Sequence, residues 1–497
     1  MNRPSHALPT PAPPAERPSA HGPTEADALT VRTKVFYGLG SIAFGVKDNG
    51  FGIFLLIYYS QVLGLPEDRV GLAIMLALIA DAILDPFIGW ASDHLRSPWG
   101  RRHPFMYASA LPVAVAYYVL WAPPAGLSHA QLFWYLLVVA ILVRALIACY
   151  EIPSASLAAE LTDHYDARTS ILSYRFFFGW WGGLTMAVLA YSVFLQPDAA
   201  HPTGVLNPEG YRRYGLVSAV IMAIAIVVSA AGTHAHIPRL KAPPPKRRLG
   251  LRGTLTELRE TLANHSFLVL FGAAIFTSMA VGMAAVLGIY FNTFFWQLSS
   301  SQMSLLAGLN FISAGLAAAL TPGLSRRVGK KRAAIWSALG ALFLGSLPIV
   351  LRLLGAFPAN GSPALVPILG IANTTLITFF IISSILVASM VADVVEDSEV
   401  TTGRRSEGVF FAANAFVQKA VSGAGIFTST LLLRAIDFPR QAQPGTVDPT
   451  ALRNLGLVYL PTLVVLFLAA TALLSLYRIS RESHATTLER LGRGPAA

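Results

Sequence analysis

Three ionisable residues lie deep inside apolar runs of the sequence, where a charge is costly. Lys419 lies about twelve residues into the run 408–433, which places it near mid-bilayer at ~1.5 Å per helical residue. Asp81 and Asp85 lie at the matching depth in the run 70–91, and their i, i+4 spacing puts both carboxylates on one helix face. Such carboxylates titrate as a coupled pair, which a proton, a cation or the Lys419 ammonium would stabilise. The pattern predicts a cation-coupling site, with a permanent ion pair that only joins two helices as the alternative.

Composition places the chain among polytopic membrane proteins. Hydrophobic residues make up 54% and charged residues 13% of its 497 residues, and the mean hydropathy is +0.56, whereas soluble domains carry about 25% charge. A hydropathy window of about 19 residues predicts an all-α membrane protein with twelve transmembrane helices. The predicted spans are 37–62, 70–91, 104–121, 132–157, 171–194, 214–231, 267–296, 303–324, 333–354, 364–391, 408–433 and 455–477. Because Cys149 is the only cysteine, no intrachain disulfide can hold the fold.

The net charge of +11 is spread unevenly between the two ends of the predicted spans. Basic clusters follow spans two, six and eight, whereas the loops after spans one, three and five carry few basic residues. We interpret the clusters as topology signals rather than as a nucleic-acid site, and the positive-inside rule then predicts a multi-pass inner-membrane protein with both termini in the cytoplasm. The clusters are Arg96, Arg101 and Arg102; Arg239, Lys241, Lys246, Arg247, Arg248, Arg252 and Arg259; and Arg326, Arg327, Lys330, Lys331 and Arg332.

Two of these clusters reveal an internal repeat. The loop 93–102 after span two has a shorter echo, 325–332, after span eight. This offset of six spans predicts two six-helix halves joined by a Pro-rich basic linker that can lie on the inner leaflet. The predicted segments are a disordered cytoplasmic tail at 1–33, the amino-terminal half at 34–235, the cytoplasmic linker at 236–264, the carboxy-terminal half at 265–480 and a cytoplasmic tail at 481–497.

Here the chain resembles the major facilitator superfamily, whose signature loop follows the second helix of each half. The resemblance implies the major facilitator fold, with two pseudo-symmetric six-helix halves. It also implies that the charged residues of the first loop latch the cytoplasmic side between conformations rather than bind substrate. These residues are Asp93, Arg96, Arg101 and Arg102.

A closer resemblance lies in the polar motifs inside the spans. The motifs are Lys47 and Asp48; Asp81, Asp85 and Pro86; Glu151, Ile152 and Pro153; Tyr174, Arg175, Phe176 and Phe177; and Glu407, Gly408, Gln418 and Lys419. They resemble the glycoside-pentoside-hexuronide:cation symporter family, typified by melibiose permease, over 34–477. The resemblance implies a secondary active symporter that imports a sugar or glycoside with a cation by alternating access. Its coupling site would comprise Asp81, Asp85 and Lys419, between the halves near the midplane.

Two further carboxylates at membrane depth, Asp48 and Glu151, suit bidentate hydrogen bonding to sugar hydroxyls. The resemblance assigns them to substrate binding, with Arg175 and Lys47 as partners. The alternative is neutralisation within the amino-terminal half, either of Lys47 with Asp48 or of Glu151 with Arg144. Aromatic and polar candidates for further substrate contacts, each with helix packing as the alternative role, are Tyr150, Tyr174, Trp180, Trp181, Asn292, Asn310, Thr378, Asn414 and Gln418.

Departures from the family pattern favour a proton over sodium as the coupling ion. Sodium-using melibiose-type members carry an asparagine and a threonine where this chain has Leu84 and Ala148. Sodium prefers hard oxygen ligands, whereas a proton needs only a carboxylate. Asp81 and Asp85 would be the metal ligands if sodium were the ion, and no cofactor is expected. A tryptophan of melibiose-type members is replaced by Ala155, which argues against galactoside recognition.

Two other function classes compete with a sugar carrier, an enzyme and a lipid transporter. An enzyme is disfavoured because His94, His103 and His129 fall in loops or at span ends, with no nucleophile or metal-ligand constellation inside the spans. The stronger rival is a cation-coupled transporter of lysolipid or another amphipathic solute, since lysolipid-moving relatives keep the same acids and lysine. An apolar side opening would favour that rival, and a polar cavity lining would favour a sugar. The expected partners are a small-molecule substrate and membrane lipids, with the protein acting as a monomer.

Overall fold

The computed structural model describes residues 30–162, 165–199, 201–240, 264–402, 407–479 and 481–490. These ranges contain 12 helices long and apolar enough to cross a membrane, as the hydropathy predicts, and they contain no strand. The helices are α1 Val31–Val62, α2 Glu67–His94, α3 His103–Trp121, α4 His129–Leu161, α5 Tyr165–Leu189, α6 Pro208–His234, α7 His265–Tyr290, α8 Ser300–Val328, α9 Lys330–Leu353, α10 Leu365–Thr402, α11 Glu407–Ala435, α12 Pro449–Ser475 and the short polar α13 Arg481–Arg490.

Most helices extend past their predicted apolar spans because polar caps, rather than hydropathy, set their ends. Helix α1 begins at Val31, where the Thr30 side chain accepts a backbone hydrogen bond, so the end of the predicted tail 1–33 is helical. Ser128 and Ser299 start α4 and α8 with capping boxes that use a glutamine three residues later. Residues 1–29 of the predicted tail and residues 241–263 of the predicted linker lie outside the described residues.

The loops after even-numbered helices lie at one end of the bundle, which we call the even-loop end; the opposite end is the odd-loop end. Helices α1, α5 and α7 finish at the odd-loop end in π-helical turns, and α1 contains another such turn in its middle. The turns are Gly50–Phe54, Tyr58–Val62, Ala190–Phe194 and Phe291–Phe295. Single π-helical turns are frequent at functional sites, and the terminal turns Tyr58–Val62 and Ala190–Phe194 contact the other half.

Close glycine contacts repeat with an offset of six helices. In the amino-terminal half, a Cβ at Gly45 of α1 would collide with the carbonyl oxygen of Gly179 in α5. In the carboxy-terminal half, Gly282 of α7 and Gly425 of α11 each face a backbone carbonyl of the other helix at similarly close range. Small residues of this kind let membrane helices approach closely. The equivalent pairs α1–α5 and α7–α11 therefore agree with the repeat predicted from the loops.

An ion-pair cluster at the even-loop end holds the loop 93–102 against α4. Arg102 donates to Asp93 at 2.5 Å and to Glu160 at 2.9 Å, and Arg101 pairs with Glu160 at 2.9 Å. Three of the four predicted latch residues are thus brought together, whereas Arg96 is exposed. Glu160 was missed at the sequence level because nothing in the loop points to the end of span four.

The carboxy-terminal half contains an equivalent contact. Lys330, in the echo of the loop, donates to Asp393 of α10 at 2.7 Å. Glu160 lies on the fourth helix and Asp393 on the tenth, so the two acids are also related by six helices. The same basic-loop-to-acid contact is therefore built twice.

The halves meet mainly where α2 packs on α11 and α5 packs on α8. Along the first pair, Gly71 of α2 accommodates Thr430 of α11. Along the second, the Trp181 ring contacts the Phe311 ring with centroids 4.6 Å apart. The candidate site lies between these two lines of contact.

Candidate functional site

The predicted coupling residues come together between α2 and α11. Lys419 Nζ lies 2.5 Å from Asp85 Oδ2 and 3.1 Å from Asp81 Oδ2, so one ammonium bridges both carboxylates. Helix α2 positions the acids one turn apart on the face that packs against α11. The contact joins the two halves of the molecule, as the matching membrane depth of the three residues suggests.

Arg144 is a fourth member of this cluster. Its guanidinium donates to Asp81 Oδ2 at 3.1 Å and lies over the Phe51 ring, 4.6 Å from the centroid. The sequence spacing suggested an ion pair between Arg144 and Glu151, and that alternative is wrong. Helix α4 packs directly on α2, so Arg144 reaches across to Asp81 instead of along its own helix.

The two carboxylates differ in how fully they are satisfied. The Asp81 side chain is only 2% exposed, and one of its oxygens faces two cations. Asp85 has Lys419 as its cationic partner, and its second oxygen, Oδ1, is buried with no hydrogen-bond partner among the described residues. A buried acceptor without a donor is costly. Asp85 is therefore the member of the pair with unused capacity to bind a proton or cation.

A second charged group lies in the amino-terminal half. Lys47 Nζ is 2.9 Å from Asp48 Oδ1 and 3.9 Å from Glu151 Oε2. The Lys47 side chain is 4% exposed, whereas that of Asp48 is 60% exposed. Lys47 thus neutralises Asp48, as the packing alternative predicted, while the Asp48 carboxylate remains accessible. The same geometry is compatible with hydroxyl binding by Asp48 and Glu151.

Arg175 is buried and engages neutral groups. Its guanidinium donates to Ser154 Oγ at 3.1 Å and to the Glu151 carbonyl oxygen at 3.4 Å, and it lies 4.8 Å from the centroid of the Phe44 ring. These contacts tie α5 to α4 and α1. Arg175 therefore contacts the backbone of Glu151, one of the two acids with which the resemblance groups it for substrate binding.

Together these eight side chains have no net charge when all are ionised. Four acids balance four bases, each held in one of the contacts above. They are Asp48, Asp81, Asp85, Glu151, Lys47, Arg144, Arg175 and Lys419. A cation that enters this balanced set leaves one positive charge in excess, so it must displace or repel one of the four basic side chains.

The aromatic and polar candidates divide between packing and accessible positions. Tyr150 is fully buried and donates to Ser229 of α6, so it packs α4 against α6. Trp180 and Trp181 are both substantially exposed, and Gln418 is exposed on α11.

The Thr378 hydroxyl donates to the Thr374 carbonyl oxygen at 2.7 Å, in agreement with the alternative that it serves helix packing. Asn310 accepts from Asn373 at 3.0 Å. The side chain of Asn414 lies outside the described residues.

Comparison with known proteins identifies the family. The sequence model of the family described as MFS/sugar transport protein matches residues 36–481. The chain belongs to this family. Together with twelve apolar helices, membership shows an integral multi-pass membrane transporter of the major facilitator superfamily, and it indicates a transporter rather than an enzyme.

Individual relatives agree with this assignment. The chain is 25% identical to a Synechocystis protein named an uncharacterized symporter, over 94% of this chain and 97% of that one. It is 28% identical to a mouse protein named a sphingosine-1-phosphate transporter, over 86% of this chain and 85% of that one. The inward-open structure of an Escherichia coli xylose transporter matches with a TM-score of 0.62 at 15% identity, covering 92% of this chain and 98% of that one. This last match shows the major facilitator fold.

Proposed function

We propose that the protein is a symporter that imports a sugar or glycoside together with a proton by alternating access. The observation that carries the proposal is Asp85, which accepts from Lys419 of the other half while its Oδ1 is buried without a hydrogen-bond partner in the described part of the chain. Protonation of Asp85 removes one of the two carboxylate charges that hold Lys419 and so weakens the bridge. Because that contact spans the two halves, ion binding and the relative stability of the conformations are linked.

The two acids have different roles in this mechanism. Asp81 faces Lys419 and Arg144, so neutralising it would leave the buried Arg144 without its carboxylate partner and would weaken the contact to Lys419. The cationic partner of Asp85 is Lys419. When Asp85 is protonated, the Lys419 ammonium still pairs with the Asp81 carboxylate. Asp85 therefore takes the proton, and Asp81 stays ionised to keep Lys419 and Arg144 in place.

The substrate group lies beside the coupling group on helices α1 and α4. The accessible Asp48 carboxylate and the partly exposed Glu151 carboxylate present acceptors for vicinal hydroxyls, with Lys47 fixed between them. The family description as sugar transport supports this assignment. The exposed rings of Trp180 and Trp181 are available to pack on a sugar face.

The conformation in the structure is one in which the odd-loop end is closed. Ser60 Oγ and Tyr290 OH are 2.7 Å apart across the halves, and Arg434 pairs with Asp68 at 2.6 Å at the same end. Asp48 nevertheless remains accessible, which supports an opening toward the even-loop end. With the even loops in the cytoplasm, as their basic residues favour, this is an inward-facing state.

The surroundings of the coupling acids support a proton over sodium. Leu84 and the buried Ala148 offer hydrocarbon where melibiose-type members offer oxygen ligands. Sodium binding through carboxylates alone would require it to compete with Lys419 at 2.5 Å from Asp85. A proton has no such coordination requirement.

The test is solute uptake into liposomes containing the purified protein, with pH and sodium gradients imposed separately. A panel of labelled monosaccharides and glycosides should include a solute that accumulates when the outside is acidic, with alkalinisation of the outside medium as it enters. Sodium at constant ionic strength should change neither rate nor affinity, because screening is then held fixed. Accumulation that requires a sodium gradient and does not respond to pH would reject proton coupling but would remain consistent with a symporter.

A transporter of amphipathic lipids is the second candidate. The mouse relative named for sphingosine-1-phosphate supports it, because the match covers most of both chains. Uptake of a fluorescent lysophospholipid in the same liposomes, without uptake of any sugar or glycoside, would favour this candidate over the first.

A further inference from the structure

A cavity of about 490 Å³ lies inside the carboxy-terminal half, and we call it the C-half cavity. Helices α7, α8, α9, α10 and α12 form its walls, and Ile53 of α1 and Tyr191 of the π-helical turn after α5 reach it from the other half. Pockets that hold small molecules typically measure about 300–1,000 Å³. The space arises from small side chains on facing helices, among them Ala280, Ala284 and Gly288 at four-residue spacing on α7.

The lining is predominantly apolar and uncharged, with a few polar atoms. Asn373 Nδ2 donates to Asn310 Oδ1 at 3.0 Å, which leaves the other amide atoms of this pair available to a ligand. Ser346 Oγ, also in the lining, is buried with no hydrogen-bond partner among the described residues. A straight hydrocarbon chain would leave these polar atoms unsatisfied. The lining fits a compact apolar group that carries an oxygen or nitrogen.

The cavity is close to the proposed sugar-binding group. Ile53 follows Asp48 by five residues on α1, which corresponds to roughly 7.5 Å along the helix axis. On α8, Asn310 of the lining is adjacent to Phe311, whose ring contacts Trp181. A sugar held at Asp48 would therefore lie close enough to the cavity for a bulky substituent to reach it.

We propose that the C-half cavity binds the aglycone of a glycoside, an aromatic or alicyclic group bearing at least one hydrogen-bonding atom. The inference rests on the proposed function and names the substrate class more narrowly. Methyl glycosides would bind only to the charged group around Asp48 and Glu151. Aryl glycosides would bind to that group and to the C-half cavity. The halves contribute different parts of the ligand, so a glycoside contacts both of them at once.

The test compares the binding of methyl, phenyl, 4-hydroxyphenyl and octyl glycosides of glucose, galactose and xylose to the purified protein by calorimetry. We expect the aryl glycosides of the accepted sugar to bind at least tenfold more tightly than its methyl glycoside. Gly288→Leu should abolish that difference and leave the methyl glycoside unchanged, because a Cβ at Gly288 meets nothing within 4 Å and the larger side chain enters the cavity.

Gly308→Leu is the matched control. A Cβ at Gly308 also meets nothing within 4 Å, and Gly308 is outside the cavity lining, so this variant should keep the preference for aryl groups. If Gly288→Leu does not fold, Ala284→Leu fills the same space from the next turn.

The outcomes separate the two proposals. Failure of every glycoside to bind, with accumulation of a free sugar in the liposome assay, rejects the aglycone site and keeps the proposed function; failure in both assays rejects both proposals. Binding of methyl and aryl glycosides with equal affinity, unchanged in Gly288→Leu, rejects only the aglycone site. Tighter binding of octyl than of both aryl glycosides, lost in Gly288→Leu, also overturns the proposal, because the cavity then holds an alkyl chain.

Discussion

At the residue scale, the charges at membrane depth are compensated by specific partners, and this determines what each residue can do. Breaking a buried pair by removing one partner costs about 3–5 kcal/mol, more than the pair itself contributes. Lys419, Arg144 and Lys47 are therefore poor targets for alanine substitution. Substitutions that keep shape and remove only charge are the informative ones for Asp85 and Asp48.

The first prediction concerns the coupling acid. Asp85→Asn should still bind substrate but should not accumulate it against a gradient, because the amide cannot exchange a proton while Asp81 still holds Lys419. The measurement is uptake into liposomes with and without an imposed pH gradient, together with substrate binding. Asp448→Asn is the control, since asparagine caps the α12 N-terminus as aspartate does. Uphill uptake by Asp85→Asn at the wild-type level would contradict the assignment.

A second prediction concerns substrate binding by the accessible carboxylates. Asp48→Asn or Glu151→Gln should each weaken substrate affinity at least tenfold, because a charge-assisted hydrogen bond contributes ~1.5–3 kcal/mol. Lys47 keeps one carboxylate in either variant, so the fold should be retained. Equilibrium binding is the measurement, with the exposed Glu209→Gln as the control. Unchanged affinity in both variants would assign the two acids to neutralising Lys47.

At the element scale, the end of α1 is the part of the structure that closes the odd-loop end. Its π-helical turn presents Gln61, whose amide nitrogen donates to Glu67 at 3.2 Å and to the Pro439 carbonyl at 3.3 Å. The Gln61 amide oxygen accepts from the Ala442 backbone at 2.9 Å. One buried side chain thus joins α1, α2 and the loop after α11. Because that loop belongs to the other half, opening of this end must break the contacts.

The third prediction follows from these bonds. Gln61→Ala should raise the population open at the odd-loop end by about fivefold or more, since each lost hydrogen bond contributes ~1 kcal/mol. With Cys149→Ala as background, the labelling rate of a cysteine at the buried Leu55 with an impermeant maleimide reports this opening. Gln443→Ala, which alters a glutamine of the same loop, should leave the rate unchanged. Equal rates in both variants would show that Gln61 does not hold the closed state.

At the scale of the whole molecule, the two halves are built by the same contacts and joined by different ones. Glycine pairs and basic-loop contacts recur in both halves, whereas the Lys419 bridge and the Gln61 contacts occur between them. A relative movement of two rigid halves would therefore change only the contacts between the halves and leave those within each half intact. This arrangement is suited to alternating access around a fixed central site.

The fourth prediction concerns orientation in the membrane. The basic residues of the even loops predict that this end faces the cytoplasm. In the Cys149→Ala background, a cysteine at exposed Ala125 should react with an impermeant maleimide in intact cells, and one at exposed Glu489 should react only after permeabilisation. The opposite pattern would place the even-loop end outside the cell and make the described conformation an outward-facing state.

The sequence by itself determined the helices and the grouping of Asp81, Asp85 and Lys419. Lipid requires each spanning backbone to satisfy its own hydrogen bonds, so hydropathy is sufficient to locate α1 to α12. Depth and i, i+4 spacing were sufficient to associate Asp81, Asp85 and Lys419, because a lone charge at that depth is unstable. Only the tertiary structure decided that Arg144 pairs with Asp81, that Glu160 holds Arg101 and Arg102, and that a cavity lies within the second half. Those features depend on which helices are neighbours and on how far their side chains reach, and periodicity along one helix contains no information about either.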